Sequence, residues 1–254
     1  MAHPTRLLLG GDRLALASRL DPITTHHHAA PAVVIGIDRP LAIVAGRRHV
    51  ARAVLLAPGF THAVDPRGGS LAVFLLPPNA ASPGALSPVR DLSTRWVELG
   101  RAVLEEQLAG FDVVDAALRR ESIQTAALDD RLARAIEVMT SSLHENVAIA
   151  ELASAARVSP SRLMALAHAQ LGSSLRGYRR WLRMFAVARA YASGASLTAA
   201  AHQAGFASSA HLSAAAREHF GIRPTDVLSP RARASIALRA GGDARVRSAS
   251  DNRT

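Results

Sequence analysis

Two sets of side chains in this sequence have the types and spacing to do chemistry. The first is a pattern that occurs twice. Ser159 stands four residues before Leu163 and Gly172 nine after it; Ser208 stands four before Leu212 and Gly221 nine after it. A serine just ahead of a helix accepts hydrogen bonds from the unpaired N–H groups of its first turn, and a glycine just past it supplies a left-handed stop. Each serine follows a short alanine-rich amphipathic segment, residues 151–157 and 198–205. Each copy therefore reads as helix, tight turn, capped second helix and stop, the anatomy of a helix-turn-helix. Gly205 suits a turn that needs positive φ. The chemistry of such a unit is non-covalent: its second helix projects side chains into the major groove of DNA.

The second set is histidine. His26, His27 and His28 are consecutive, and His49 and His62 fall in neighbouring apolar stretches. Imidazoles invite a metal, but no glutamate precedes Glu98 to complete a mixed ligand set. Asp38 and Asp65 sit among turn residues and are read as serving turn geometry. His62, just after a Pro-Gly turn, lines a barrel mouth or lies on the surface. His28 and His62 are taken as candidates for an effector pocket, and no metal or cofactor is assigned. The chain has no cysteine, which excludes disulfides and thiolate metal sites. It also lacks a phosphate-binding glycine loop and a paired-carboxylate motif, so no catalytic residue is assigned and the chain is read as a non-enzyme.

The elements that must position the doubled pattern begin with the stretch between its copies. Over residues 174–193, Leu175, Tyr178, Leu182, Phe185, Ala186 and Ala190 recur at helical steps. About twenty helical residues span ~30 Å, close to the ~34 Å between successive major-groove faces. Arg176, Arg179, Arg180 and Arg183 line this helix; Arg179 and Arg180 are expected to reach phosphates. Arg183 either does the same or forms an internal ion pair, with Glu151 as the candidate. All 30 basic residues are arginine, the usage of a GC-rich genome. Residues 1–120 hold 13 arginines and 10 acids, and the remainder 17 and 10, so the basic excess sits with the doubled pattern. Phosphate neutralisation requires that placement.

The segment 130–228 resembles the DNA-binding domain of AraC/XylS-type transcriptional regulators. The resemblance is carried by Glu151, Val158–Leu163, Gly172, Tyr178, Leu182, Arg183, Ala188–Ala190, Ala204–Phe206, Ser208, Leu212, Phe220, Gly221 and Pro224. It implies that Ser161, Met164 and Ala165 face base edges on the first reading helix, with Ser159, Arg162 and His168 nearby. On the second, Ser208, Ser209, Ala210, His211, Ser213, Ala214 and Arg217 are the implied DNA-facing residues. Two of those are alanines, so phosphate contact is expected there more than base readout. Ala216 departs from the large aromatic core residue usual in the family. The stretch 57–64 resembles the second motif of cupin barrels, and cupin-like sensor domains commonly precede AraC-type domains.

The fold class expected is α+β. Residues 1–87, with short apolar runs between turn clusters, form a small cupin-like β-barrel or jelly roll that binds an effector. Residues 88–120 form a helical segment, capped by Asp91, whose stripe of Trp96, Leu99 and Val103 makes a dimer seam or packs on the barrel. Residues 121–129 form a linker, and the first helix of the DNA-binding domain is capped by Asp130. Residues 229–254 form a disordered basic tail. No run is apolar enough to cross a membrane, and a signal-peptide core is missing, so the expected place is the cytoplasm. The implied function is promoter-specific transcription regulation. The partners are double-stranded promoter DNA, a small-molecule effector, a second copy of the chain, and RNA polymerase if it activates. A metal-dependent cupin enzyme with a DNA-binding appendage and a DNA-coating protein are the competing readings.

Overall fold

The computed structural model describes residues 5–11, 13–80, 87–108, 110–123 and 126–238. The N-terminal part is two facing sheets. The larger combines β1 (Arg6–Leu9), β2 (Leu14–Ser18), β4 (Ala32–Gly36), β7 (Ala53–Leu56), β9 (Leu71–Leu75), β10 (Val89–Asp91) and β11 (Ile236–Leu238), in the order β10-β7-β4-β9-β2-β1-β11. The smaller has the order β3-β8-β5-β6, from β3 (Ile23–His26), β5 (Leu41–Ala45), β6 (Arg47–Ala51) and β8 (His62–Asp65). The double-sheet form of the expectation holds; the sheets do not close into a barrel. Pairings are antiparallel except β1 with β11, whose residues come from opposite ends of the chain.

Period-two alternation decides what each sheet face meets. Val34, Val54 and Leu56 point into the space between the sheets with Ile23, Leu41, Ile43 and Val64. Val33, Ile35 and Leu55 point the other way, onto α1 (Arg95–Leu104) and α2 (Asp112–Arg120). Trp96 packs edge-on to Phe74 at 5.9 Å, and both it and Val103 are buried there. Of the two roles open to the α1 stripe, the structure places it against the sheet. Asp91 does not cap this helix: it lies in β10, paired with Val54 of β7, and helix α1 follows Thr94.

The helical part comprises α3 (Asp130–Ser141), α4 (Ile149–Ala155), α5 (Pro160–Leu171), α6 (Leu175–Ala192), α7 (Leu197–Gln203), α8 (Ser209–Phe220), and the short α9 (Pro224–Val227) and α10 (Pro230–Arg233). The α3 cap is Asp129, whose Oδ1 accepts from the Arg131 N–H at 2.9 Å, and not Asp130, which is the first helical residue. Within the expected linker, Ala126 is pinned to Asn79 by a pair of hydrogen bonds of 2.8 and 2.7 Å.

The helical part is not hung from the sheets by a tether. Leu7, Leu9 and Leu16 of the larger sheet share one apolar core with Met184, Val187 and Tyr191 of α6 and Leu212 and Ala216 of α8. The Arg189 guanidinium donates to the carbonyls of Gly10 and Gly11 in the β1–β2 turn. The tail expected to be disordered is ordered through Leu238. Arg233 lies over the Tyr191 ring at 4.1 Å and donates to the Ala195 carbonyl at 2.7 Å, and β11 then covers the open edge of β1. Apolar Ile236 and Ala237 give that edge a strand to pair with, which arginine content alone concealed. The rest of the expected tail lies outside the described residues.

Candidate DNA-reading face and interdomain cavity

Both helix-turn-helix units form as the doubled pattern predicts. The Ser159 hydroxyl accepts from the Arg162 N–H at 3.2 Å and Ser208 from the His211 N–H at 3.1 Å, so each reading helix begins on its serine. Gly172 and Gly221 end them in the left-handed conformation. The turn of the second unit uses Gly205 at φ +83°, and that of the first uses Arg157 at φ +54°, a position the sequence reading missed for want of a glycine. Helix α6 joins the units with 18 residues, about 27 Å of rod.

On α5, Ser161, Arg162, Met164, Ala165 and His168 are all exposed while Leu163, Leu166 and Ala167 are buried. Met164 is 53% exposed, a large apolar side chain left in solvent. On α8, Ser209, Ala210, His211, Ala214 and Arg217 are exposed, and Ser208 and Ser213 are partly so. His211 packs edge-on to Phe206 at 5.3 Å. These residues make two outward faces with no ion pair to another described residue; Ser159–Arg162 and Ser208–His211 stand at the helix N-termini, where the dipole favours phosphate.

The arginines of α6 are used differently from expectation. Arg179 donates to the Val147 carbonyl at 2.6 Å, and burial lowers its pKa. Arg180 is paired with Glu218 of α8. Arg183 is buried; it donates to the carbonyls of Leu143 at 2.8 Å and Glu145 at 2.9 Å and to Asn146 Oδ1 at 3.2 Å. It makes no ion pair with Glu151, which lies exposed on α4. The α3–α4 loop accounts for two of these arginines: its Leu143, Glu145 and Val147 carbonyls face α6 and accept from Arg183 and Arg179. In this structure Arg179 and Arg180 thus brace the protein internally, where a phosphate contact was expected.

The C-terminal end of α8 is docked on the sheet domain. Its last carbonyls, which a helix cannot satisfy itself, accept from β3 and the residues after it. Thr24 N–H and Oγ1 donate to the Gly221 carbonyl at 3.3 and 2.8 Å, and His27 N–H to the Glu218 carbonyl at 3.2 Å. A Cβ on Gly221 would stand 2.4 Å from the Thr24 carbonyl oxygen, so the contact requires glycine twice over.

Beside this joint a cavity of about 100 Å³ lies between the two sheets and α6 and α8, lined by Leu16, Val64, Val73, Met184, Ala216, Phe220 and His28 among others. Ala216, small where the family resemblance leads one to expect an aromatic ring, leaves part of that space open. Arg223, the charged residue on its wall, is already paired with Asp226 at 3.0 Å.

At the rim of the same joint three imidazoles converge. His26 and His62 are register partners across β3 and β8, and His28 lies two residues beyond His26. Ring centroids are 4.4 Å apart for His26–His62, 4.8 Å for His26–His28 and 5.3 Å for His28–His62. All three are buried. His26 Nδ1 donates to the Thr24 carbonyl at 2.7 Å and His62 Nδ1 to the Phe60 carbonyl at 2.8 Å, while the His28 ring lies 6.1 Å from that of Phe220. Burial first, then the neighbouring imidazoles, lowers the pKa of His26 to about 4 and that of His28 well below 6.5; burial also lowers that of His62. The rings are thus neutral at pH 7, and His28 Nδ1 and His62 Nε2 are buried without a hydrogen-bond partner. Each such orphan costs ~1–3 kcal/mol. The structure brings the two candidate effector-pocket histidines together and adds His26; His49 is elsewhere, bonded to Asp91 at 2.6 Å. His219, at the i+7 position from Leu212, is buried against His27 and went unnoticed in the sequence.

The family model described as a helix-turn-helix domain matches residues 152–229, and these residues are a helix-turn-helix domain of the AraC type. Among solved structures, the whole architecture is similar to ToxT from Vibrio cholerae. One ToxT structure aligns at 12% identity over 85% of this chain and 98% of that one, with a TM-score of 0.59. A second, bound to (E)-4-(8-methylnaphthalen-1-yl)but-3-enoic acid, aligns at 10% identity over 85% and 98% with a TM-score of 0.60. A third, bound to an unsaturated fatty acid, aligns at 12% identity over 89% and 93% with a TM-score of 0.54. At these identities the likeness is one of fold. No curated protein matches the chain in sequence. No helix among the described residues is long and apolar enough to cross a membrane.

Proposed function

We propose that this protein is a sequence-specific DNA-binding regulator of transcription whose DNA affinity is set by a small, mostly apolar effector. The observation that carries the reading is the pair of serine-capped helices, α5 and α8, whose outward side chains make no ion pair with another described residue, joined by the continuous helix α6. Sequence discrimination rests mainly on α5, through Arg162 to guanine or phosphate and Met164 and Ala165 to thymine methyl groups. Helix α8 adds Arg217, His211 and serine contacts to the backbone.

The effector part rests on the shared cavity. Its walls come from both sheets on one side and from α6, α8 and α9 on the other, so an occupant touches the sensor and the second reading helix at once. A ligand that fits one arrangement of these walls better than another shifts the position of α8, which is the requirement for linkage between effector and DNA. The acids bound in the ToxT structures support a ligand with a large apolar part. In this reading residues 1–87, completed by β10, form the sensor, 88–120 pack behind it, and 130–228 bind DNA. The protein works in the cytoplasm on adjacent half-sites as a homodimer, joined by a surface other than the buried α1 stripe. It meets RNA polymerase if it activates.

The test is a footprint of the full chain on DNA upstream of its own gene, with and without unsaturated fatty acids. A protected site whose occupancy changes with the acid supports the reading. Protection that never rises above that on random DNA contradicts it.

A further inference from the structure

We propose that His26, His28 and His62 form a binding site for one divalent transition-metal ion of the zinc type, seated where the sheet domain meets reading helix α8. The three residues each offer a ring nitrogen, and these atoms lie within 4.8 Å of one another. Three imidazole nitrogens about a tetrahedral ion at ~2.0–2.1 Å stand ~3.4 Å apart, so each nitrogen needs to move inward by less than about 1 Å. Rotation of the rings supplies a shift of that size without moving β3 or β8.

The hydrogen bonds have already sorted the nitrogens. A metal-ligating histidine characteristically donates its other ring N–H to a carbonyl, which fixes the tautomer and orients the ring. His26 and His62 do so through Nδ1, to Thr24 and Phe60, which leaves Nε2 of each as the basic atom. His28 keeps Nδ1 buried and unpartnered. Two of the three basic nitrogens, His62 Nε2 and His28 Nδ1, are buried orphans, and a cation is the partner they lack. A nitrogen-only donor set selects zinc, cobalt, nickel or copper over magnesium and calcium, which demand oxygen.

The position of the site gives the ion a consequence. His28 holds the ion on one side while its ring packs against Phe220 of α8, with centroids 6.1 Å apart. The ion therefore tightens the joint that already holds the last turn of α8 to Thr24 and His27.

The experiment is metal uptake by the full chain after chelator treatment and removal of the chelator. Cobalt(II), the probe, is titrated in and followed by its visible absorption, then displaced with zinc. The expected result is one saturable equivalent with the intense bands of a low-coordinate ion. Binding weakens at least about a hundredfold in His26→Gln, His28→Gln and His62→Gln, and is unchanged in His49→Gln. Zinc at a hundredfold excess over its Kd should also raise the Tm by about 5–10 °C. No saturable equivalent, or uptake that survives in all three cluster variants, overturns the proposal by showing surface histidines at work. If the variants do not fold, X-ray absorption of the cobalt-loaded wild-type chain decides. Three imidazole nitrogens support the site, and fewer overturn it.

Discussion

Gly205→Ala is the substitution whose cost follows most directly from the geometry. Gly205 lies at φ +83°, and an added Cβ would stand 2.7 Å from the His144 carbonyl oxygen, 2.9 Å from His144 Cα and 2.9 Å from Arg183 Nη2. Real Cβ atoms are not found that close, so the loop or the guanidinium must shift. Left-handed backbone costs a residue with a Cβ ~1–2 kcal/mol. Loss of unfolded-state entropy returns ~0.4–1 kcal/mol. Displacing Arg183 from the Glu145 carbonyl breaks a part-buried hydrogen bond from a charged donor, at ~1–3 kcal/mol. The net expectation is a loss of about 2–4 kcal/mol. Gly46→Ala is the control, since Gly46 lies at φ +72° with nothing within 4 Å of the added atom. It should lose only the backbone part, about 1 kcal/mol or less. Urea denaturation of the full chain, followed by circular dichroism, measures both. A Gly205→Ala loss no larger than that of Gly46→Ala would refute the assignment of Gly205 and Arg183 to one packed joint.

Other outcomes follow from individual residues. Arg162→Ala should weaken binding to the preferred DNA site by ~1–3 kcal/mol and binding to random DNA by less; equal losses in competition assays would make it a phosphate contact. Because Arg180 is already paired with Glu218, Arg180→Ala should leave the slope of log K against log salt nearly unchanged. Arg217→Ala should reduce that slope by about 0.9. Ala216→Phe should fill part of the cavity, abolish the effector response at a stability cost of ~1–3 kcal/mol, and leave binding of effector-free protein to DNA in place. Asp129→Asn keeps an N-cap for α3 but removes the charge, whose pKa the hydrogen bond from Arg131 holds near 2. A depressed carboxylate stabilises above its unfolded pKa near 4 and loses that contribution as pH falls towards 2. The wild-type advantage, about 1 kcal/mol or less for so exposed a group, should therefore be present at pH 6 and shrink by pH 3 in denaturation midpoints.

Much of the helical part was legible because its signals are local. Serine caps, glycine stops and the apolar steps of α6 are each written within a few residues, and Ser159, Ser208, Gly172 and Gly221 do what their types demand. The outward faces of α5 and α8 followed from the same periodicity. What was not legible depends on distant pairing. The carbonyls that claim Arg179 and Arg183 belong to a loop 32 to 40 residues away in sequence. The partner of β1 comes from the far end of the chain, so a strand hid inside an arginine-rich tail. His26 and His28, two apart on an extended stretch, were bound to share a face. That His62 would be the register partner of His26 depends on strand order, which periodicity does not state. Neither did the sequence show that α8 ends on β3, because the joint is made by backbone groups.

The most direct measurement is the affinity of the full chain for DNA upstream of its own gene, titrated against random competitor at a stated physiological salt concentration. A promoter-specific regulator predicts a preferred fragment whose advantage over random DNA falls sharply in Arg162→Ala. Equal affinity for every fragment, or none for any, would contradict the account.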